Sequence, residues 1–132
     1  MIVPTLARLI IRENLYKPIR GRVLCLGRQT IAMTYQQAVD LMFEEGVPGI
    51  DAYAHGVPVG AKDQDTRRGK GTDYINDTLF FRMMGITDLH NLDVSTYEGA
   101  DIIHNLNQPV PESLCGQFDF IIDDVEDIMN RL

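Results

Sequence analysis

Two residues that could do chemistry stand at the ends of short apolar runs. Gly27 ends RVLCLG (22–27), and Asp93 lies near the end of DLHNLDVS (88–95). A glycine just past a buried parallel strand lets a ligand approach the backbone closely, and amides before the next helix can face an anion. An acid at the end of a neighbouring strand can accept hydrogen bonds from both hydroxyls of a ribose. Together the two residues indicate a site for an adenosine-type cofactor.

Each residue also has a plain structural interpretation. Gly27 alone can simply permit a tight turn, and Asp93 can form an Asx-turn or cap a helix. A dinucleotide fold is disfavoured, because its fingerprint needs G-x-G-x-x-G and an acid only about 20 residues further on. The histidines at 55, 90 and 104 lack metal-ligand spacing, and His104 is expected to be a satisfied strand residue.

Helical patterns flank the first run. MIVPTLARLIIREN predicts an amphipathic helix with Pro4 in its first turn, where the missing N–H costs nothing. Its expected buried stripe is Leu6, Leu9, Ile10 and Ile11. A second helix is predicted after Thr34, because Thr34 and Gln37 form a Thr-x-x-Gln capping box and Gly46 can end the helix. Its apolar stripe is Ala38, Leu41 and Met42.

A long segment then precedes the third predicted helix. Residues 46–72 are rich in glycine and have no sustained period, which is typical of a loop that is either functional or disordered. TDYINDTLFFRMMG follows and predicts a helix that Thr72 or Asp73 caps and Gly85 ends. Its expected core stripe is Ile75, Leu79, Phe80, Met83 and Met84.

Three strand-like runs come next: DLHNLDVS (88–95), ADIIHNLN (100–107) and FDFIID (118–123). With the first strand and the helices, they predict an α/β fold with about four mostly parallel strands flanked by helices, in a single domain over residues 1–132. The short link between the second and third strands fits either a tight antiparallel turn or a compact crossover.

The chain from about residue 21 to 123 resembles the N-terminal half of a class I S-adenosylmethionine-dependent methyltransferase, which has a Rossmann-like sheet. The similarity rests on VLCLGRQTI, on FFRMMGI and most specifically on LDVSTYEGADIIHNLNQPVPESLCGQFDFIID. The chain departs from the family's pattern at Cys25 and Asn105, where acids are usual, and at Gln29 and Ile31, where glycines are usual.

The resemblance implies an S-adenosylmethionine site whose roles are set by position. The segment after the first strand would lie near the amino acid part of the cofactor, the end of the second strand at the ribose, and the segment after the third strand at the adenine. In that order, the implied contacts come from Leu26, Gly27 and Arg28, from Asp93 and Val94, and from Asn105 and Leu106. Asp123, after the fourth strand, would lie near the transferred methyl group, and no general base is assigned.

The resemblance covers only part of the family's sheet, so a truncated methyltransferase-like domain is expected. In the family's strand order the fourth strand would lie at an edge, although FDFII is apolar on both faces. An exposed apolar edge pairs readily with other strands. We therefore expect it to be covered, either by the terminal segment DVEDIMNRL or by a second copy in a homo-oligomer.

Composition limits the partners. The net charge is −7, which disfavours general nucleic-acid binding, and KDQDTRRGK (62–70) is the one basic cluster. No apolar run approaches the length of a membrane span. The two cysteines, Cys25 and Cys115, predict reduced thiols and a cytoplasmic location, with Cys25 as a small core residue.

Three functional interpretations remain open at this stage. The first is methyl transfer from S-adenosylmethionine to an acceptor, a small molecule or another substrate, that the sequence does not identify. The second is a non-enzymatic binding or assembly module that has lost the cofactor. The third is a gene fragment that folds only by self-association. Convergence of Gly27, Asp93 and Asn105 in one cleft would favour the first.

Overall fold

The computed structural model describes residues 1–123, so the terminal segment DVEDIMNRL lies outside the described residues. The helices are α1 (Pro4–Tyr16), α2 (Tyr35–Glu45) and α3 (Asp77–Met83). The strands are β1 (Arg22–Leu26), β2 (Asp88–Asp93), β3 (Ile102–Ile103) and β4 (Phe120–Ile122), and single 3₁₀ turns span Ile50–Tyr53 and Glu112–Leu114.

The strands form one parallel sheet in the order β3-β2-β1-β4. This confirms the predicted α/β fold with four parallel strands flanked by helices, and it is consistent with a partial Rossmann-like architecture. β1 is interior, and Val23, Leu24 and Cys25 are each at most 6% exposed. Because β3 runs parallel to β2, the link between them is a compact crossover rather than an antiparallel turn.

The register places the carboxyl ends of β1, β2 and β3 side by side. Leu26 pairs with Leu92, and Asp93 pairs with Ile103. The ladder continues one residue further on each side, since the Gly27 amide donates to the Leu92 carbonyl at 2.7 Å and the His104 amide donates to the Asp93 carbonyl at 2.8 Å. The residues that follow these three strands therefore share one edge of the sheet.

Local signals define α1 and α2 well. Pro4 lies in the first turn of α1, and the predicted Thr34–Gln37 capping box begins α2. Gly46 ends α2 with a φ of 77°, a left-handed conformation that favours glycine. The predicted burial of Leu9 is wrong, because Leu9 is 55% exposed on the rim of a groove beside β4.

The predicted start of α3 is also wrong. Asn76, and not Thr72 or Asp73, caps the helix by accepting a hydrogen bond from the Leu79 amide at 2.8 Å. Residues 74 and 75 are instead held extended in bridges with Thr34 and Lys62. The predicted core stripe is buried nonetheless, and its members are Ile75, Leu79, Phe80, Met83 and Met84.

The glycine-rich segment packs onto the loop after β1. Asp63 is fully buried and accepts hydrogen bonds from the amides of Asp65 and Thr66, each at 2.9 Å. The Thr66 hydroxyl in turn accepts a hydrogen bond from Thr30 at 2.7 Å. This buried polar contact ties residues 63–66 to the segment that follows Gly27.

Candidate functional site

A cleft of about 310 Å³ opens at the carboxyl edge of β1, β2 and β3. Ligands of open α/β sheets bind at this edge, and the volume lies at the lower end of the range for small-molecule sites. Seven of the eight residues singled out from the sequence line it: Leu26, Gly27, Arg28, Asp93, Val94, Asn105 and Leu106. The parallel register described above is what brings these three separate stretches together.

The eighth residue, Asp123, lies elsewhere. It follows β4, on the far side of β1 from β2, and it lines an apolar groove of about 240 Å³ between α1 and β4. That groove offers little polar chemistry, since aliphatic and aromatic side chains form most of its wall. We therefore take the cleft, where polar groups from three strand ends meet, as the candidate site.

Gly27 turns the chain away from β1. Its φ of 89° is left-handed, so a side chain there would be strained, and no atom lies within 4 Å of the position that a Cβ would take. The glycine is required by the turn, and the space beside it is open. Both properties suit a backbone that a ligand approaches, although the turn alone is enough to demand glycine.

Asp93 presents a carboxylate to the cleft. Its Oδ1 accepts a hydrogen bond from the Val94 amide at 2.7 Å, which fixes the side chain beside the end of β2. Its Oδ2 has no donor among residues 1–123. A fixed carboxylate with free acceptor capacity at the end of the second strand is what a ribose hydroxyl pair needs.

Asn105 and His104 form the wall after β3. Asn105 Oδ1 accepts from the Asn107 amide at 2.9 Å, and within the described residues its side-chain NH₂ has no partner. The Nε2 atom of His104 is buried without a hydrogen-bond partner in the same part of the chain, so the prediction of a satisfied histidine is wrong. The wall therefore carries hydrogen-bonding capacity that the described part of the chain does not use.

Apolar surface lies beside these polar groups. Val94 is 63% exposed and Leu106 is 45% exposed, although both are aliphatic. Each lines the cleft next to a polar residue, Asp93 and Asn105 respectively. When a flat apolar ring packs against such side chains, both lose contact with water, which stabilises the bound ligand.

Arg28 is buried in an ion pair rather than extended into the cleft. Its Nη2 donates to Asp77 Oδ1 at 2.7 Å and its Nε to Asp77 Oδ2 at 3.0 Å, while Nη1 donates to Asp65 Oδ2 at 3.0 Å. The Arg28 side chain is 9% exposed and that of Asp77 is 0% exposed. Burial alone would lower the pKa of Arg28, but the hydrogen bond and charge of Asp77 raise it well above its usual range.

Two acidic residues that shape this site are not among those predicted from the sequence. Asp77 holds Arg28 across 49 positions of the chain, and Glu98 joins the lining from the link between β2 and β3. Neither belongs to a strand end. No local pattern in the sequence points to a partner for Arg28.

The Cys25 thiol and the metal-ligating side chains of the described residues add no further site. Burial raises the pKa of the Cys25 thiol to about 12, so the thiol stays protonated and is a core residue as predicted. Within residues 1–123, no group of three or more His, Cys, Asp or Glu side chains could hold a metal ion. No helix in that part of the chain is long and apolar enough to cross a membrane.

Comparison of the chain with protein-family models, curated proteins and solved structures gave no match.

Proposed function

We propose that the cleft binds S-adenosylmethionine and that the chain is a methyltransferase-like domain of the class I type. The observation that carries the proposal is the convergence of the Gly27 turn, the Asp93 carboxylate and the Asn105 amide at one sheet edge. Asp93 would accept hydrogen bonds from the ribose hydroxyls, and Val94 and Leu106 would pack against the adenine ring. The side-chain NH₂ of Asn105 would donate a hydrogen bond to a nitrogen of that ring.

The residues fit the nucleoside part better than the amino acid part. Asp93 and Asn105 keep hydrogen-bonding capacity that residues 1–123 do not use, and the Nε2 atom of His104 is buried without a partner among those residues. Arg28, which the resemblance assigned to the amino acid part, already has two carboxylate partners. Leu26 and the Gly27 backbone remain available on that side of the cleft.

The cofactor would supply an activated methyl group on its sulfonium. Catalysis of transfer to an acceptor nucleophile would then rest mainly on holding the two reactants in line, which is an effect of proximity and orientation. This chain's contribution would be to fix the nucleoside through Asp93 and to exclude water with its aliphatic wall. No general base is assigned to the reaction, and Asp123, which the resemblance puts near the methyl group, lines the groove beside α1 rather than the cleft.

The test is calorimetric titration of the purified chain with S-adenosylmethionine and with its demethylated product. We expect saturable binding in the micromolar range, weakened about tenfold or more in Asp93→Asn. That variant keeps an oxygen for the Val94 amide and removes the carboxylate, so loss of binding would report on recognition and not on the local turn. Asp40→Ala, on the exposed face of α2, is the matched control.

Absence of saturation at millimolar ligand would overturn the proposal. In that case a second candidate function would stand: a non-enzymatic assembly module, which self-associates through the β4 edge. The observation favouring it is that Phe120 and Ile121 of β4 are 43% and 59% exposed at the end of the sheet.

We also propose that the chain works in the cytoplasm and that its methyl acceptor is not a nucleic acid. Cys25 and Cys115 are both free thiols, which fits a reducing compartment such as the cytoplasm. The net charge of −7 argues against a nucleic acid as a general partner. The methyl acceptor would then be a small molecule or another substrate that is not a phosphate backbone.

A further inference from the structure

The charge of the cleft is set by an internal carboxylate. Arg28 is the only Arg or Lys on the part of the wall formed by residues 1–123, and its guanidinium is paired with the carboxylates of Asp77 and Asp65. Its Nη1 also lies 3.4 Å from the Glu98 carbonyl oxygen. Four of the five guanidinium N–H groups are engaged by these partners, and two carboxylates offset its single positive charge, so little of that charge remains for a ligand.

Two backbone donors of the loop, the Gly27 and Gln29 amides, are occupied as well. The Gly27 amide donates to the Leu92 carbonyl, and the Gln29 amide donates to Asp77 Oδ2 at 2.9 Å. Asp77 thus receives hydrogen bonds from both the loop after β1 and Arg28. In an α/β sheet this loop is where a ligand's anionic group usually meets backbone amides. Here a carboxylate of the protein, that of Asp77, takes the Gln29 amide.

The remaining charges on the wall are negative. Asp93 and Glu98 both line the cleft. Glu98 Oε2 accepts a hydrogen bond from the Arg67 amide at 2.6 Å, which fixes its carboxylate close to the link before β3. Because Asp77 and Asp65 offset the charge of Arg28, a phosphate entering the cleft would meet like charges with no net positive charge on the described wall to offset them.

We infer that the cleft selects nucleosides whose 5′ substituent is uncharged or cationic and rejects 5′-phosphorylated nucleotides, and that Asp77 sets this specificity by holding Arg28. The inference rests on the proposed function, since it refines the ligand class of the same cleft. Asp77 acts through Arg28, so it is a positioning residue. A sulfonium suits the negative wall, whereas the phosphates of AMP or ADP do not.

The test compares adenosine, AMP and ADP by calorimetry on the full chain. For the wild type we expect adenosine to bind and each nucleotide to bind about tenfold more weakly or worse, because repulsion between like charges opposes binding. In Asp77→Asn, Arg28 loses its bidentate partner, and the preference for adenosine over AMP should shrink about tenfold. Asp65 contacts the same guanidinium from its exposed side. Asp65→Asn should therefore reduce the preference for adenosine over AMP by a smaller factor.

The outcomes separate the two proposals. If AMP binds the wild type as tightly as adenosine, the inference fails while nucleoside binding stands. If none of the three ligands binds although S-adenosylmethionine does, the inference fails and the proposed function stands; if S-adenosylmethionine also fails to bind, both fail. Should Asp77→Asn not fold, the double variant Arg28→Met with Asp77→Leu removes both charges together. It should keep the wild-type preference for adenosine, and a preference for AMP in that variant would overturn the inference.

Discussion

At the scale of single residues, His90 has an unusual pair of partners. Its Nδ1 lies 2.8 Å from Asp101 Oδ2 and its Nε2 lies 2.7 Å from Asp88 Oδ1, while the ring of Phe118 packs edge-on at 5.9 Å. Both contacts are hydrogen bonds only if both ring nitrogens carry protons. The hydrogen bond with Asp101 raises the pKa of His90, and the hydrogen bond with Asp88 raises it further. Partial burial acts in the opposite direction and lowers this pKa.

This geometry predicts a stability that depends on pH. Because the folded pKa of His90 is raised, its contribution is fully present below the unfolded pKa of about 6.5 and is lost as the pH rises through the folded pKa. The wild type should therefore have a higher free energy of unfolding than His90→Gln. The difference should be largest at about pH 6 and should shrink as the pH rises to about 9. Urea denaturation across this range measures the difference.

A matched control is available for this prediction. His55 is exposed in the glycine-rich segment and makes no hydrogen bond to residues 1–123, so His55→Gln should leave the profile of the wild type unchanged. Asp101 stays ionised over the range: burial pushes its pKa up, but the hydrogen bonds from the Asn91 amide and His90 lower it overall. A difference between wild type and His90→Gln that does not vary with pH would contradict the imidazolium interpretation.

At the scale of elements, α2 depends on a cap that the sequence makes visible. The Thr34 hydroxyl accepts from the Gln37 amide at 3.2 Å, and Gln37 Oε1 accepts from the Thr34 amide at 2.9 Å. Thr34→Ala removes one half of this box and should lower the free energy of unfolding by about 1 kcal/mol. Thr34→Ser keeps the hydroxyl and should cost much less, and chemical denaturation of the two variants tests the difference. Equal losses would mean that the methyl group, and not the cap, is what α2 needs.

An element was predicted correctly where the residues that define its ends lie next to it in the sequence. Both ends of α2 are marked by residues within the helix or next to it, and β1 is marked by a continuous apolar run between glycines. The start of α3 is different, because Tyr74 and Ile75 are held in bridges to distant residues, Thr34 and Lys62. β3 is also shorter than its apolar pattern, with two residues in the ladder. Contacts of this range leave no trace in local spacing.

The same reasoning applies to the candidate site. Gly27, Asp93 and Asn105 could be grouped from the sequence because each follows a strand, and parallel strands end at the same edge of a sheet. The state of Arg28 could not, because Asp77 reaches it from the start of α3, far along the chain. The composition of the cleft was therefore predictable, whereas its charge was not.

At the scale of the whole molecule, the sheet has an apolar edge. Within residues 1–123, β4 pairs with β1 alone, and Ile121 is 59% exposed on it. The groove between β4 and α1 adds further apolar surface, including Leu9 at its rim. The pairing capacity of such an edge is the physical basis of the proposed homo-oligomer.

Self-association through β4 predicts a definite mutational response. The wild type should sediment as a mixture whose mean mass rises over about a hundredfold range of concentration, as mass action requires. Ile121→Lys places a charge on the edge strand, a substitution that blocks strand pairing, and should shift the population to monomer without changing far-ultraviolet circular dichroism. Val59→Lys, at a fully exposed apolar residue of the glycine-rich segment, should leave the association intact. A wild type that stays monomeric at every concentration would show that the β4 edge does not pair with a second copy.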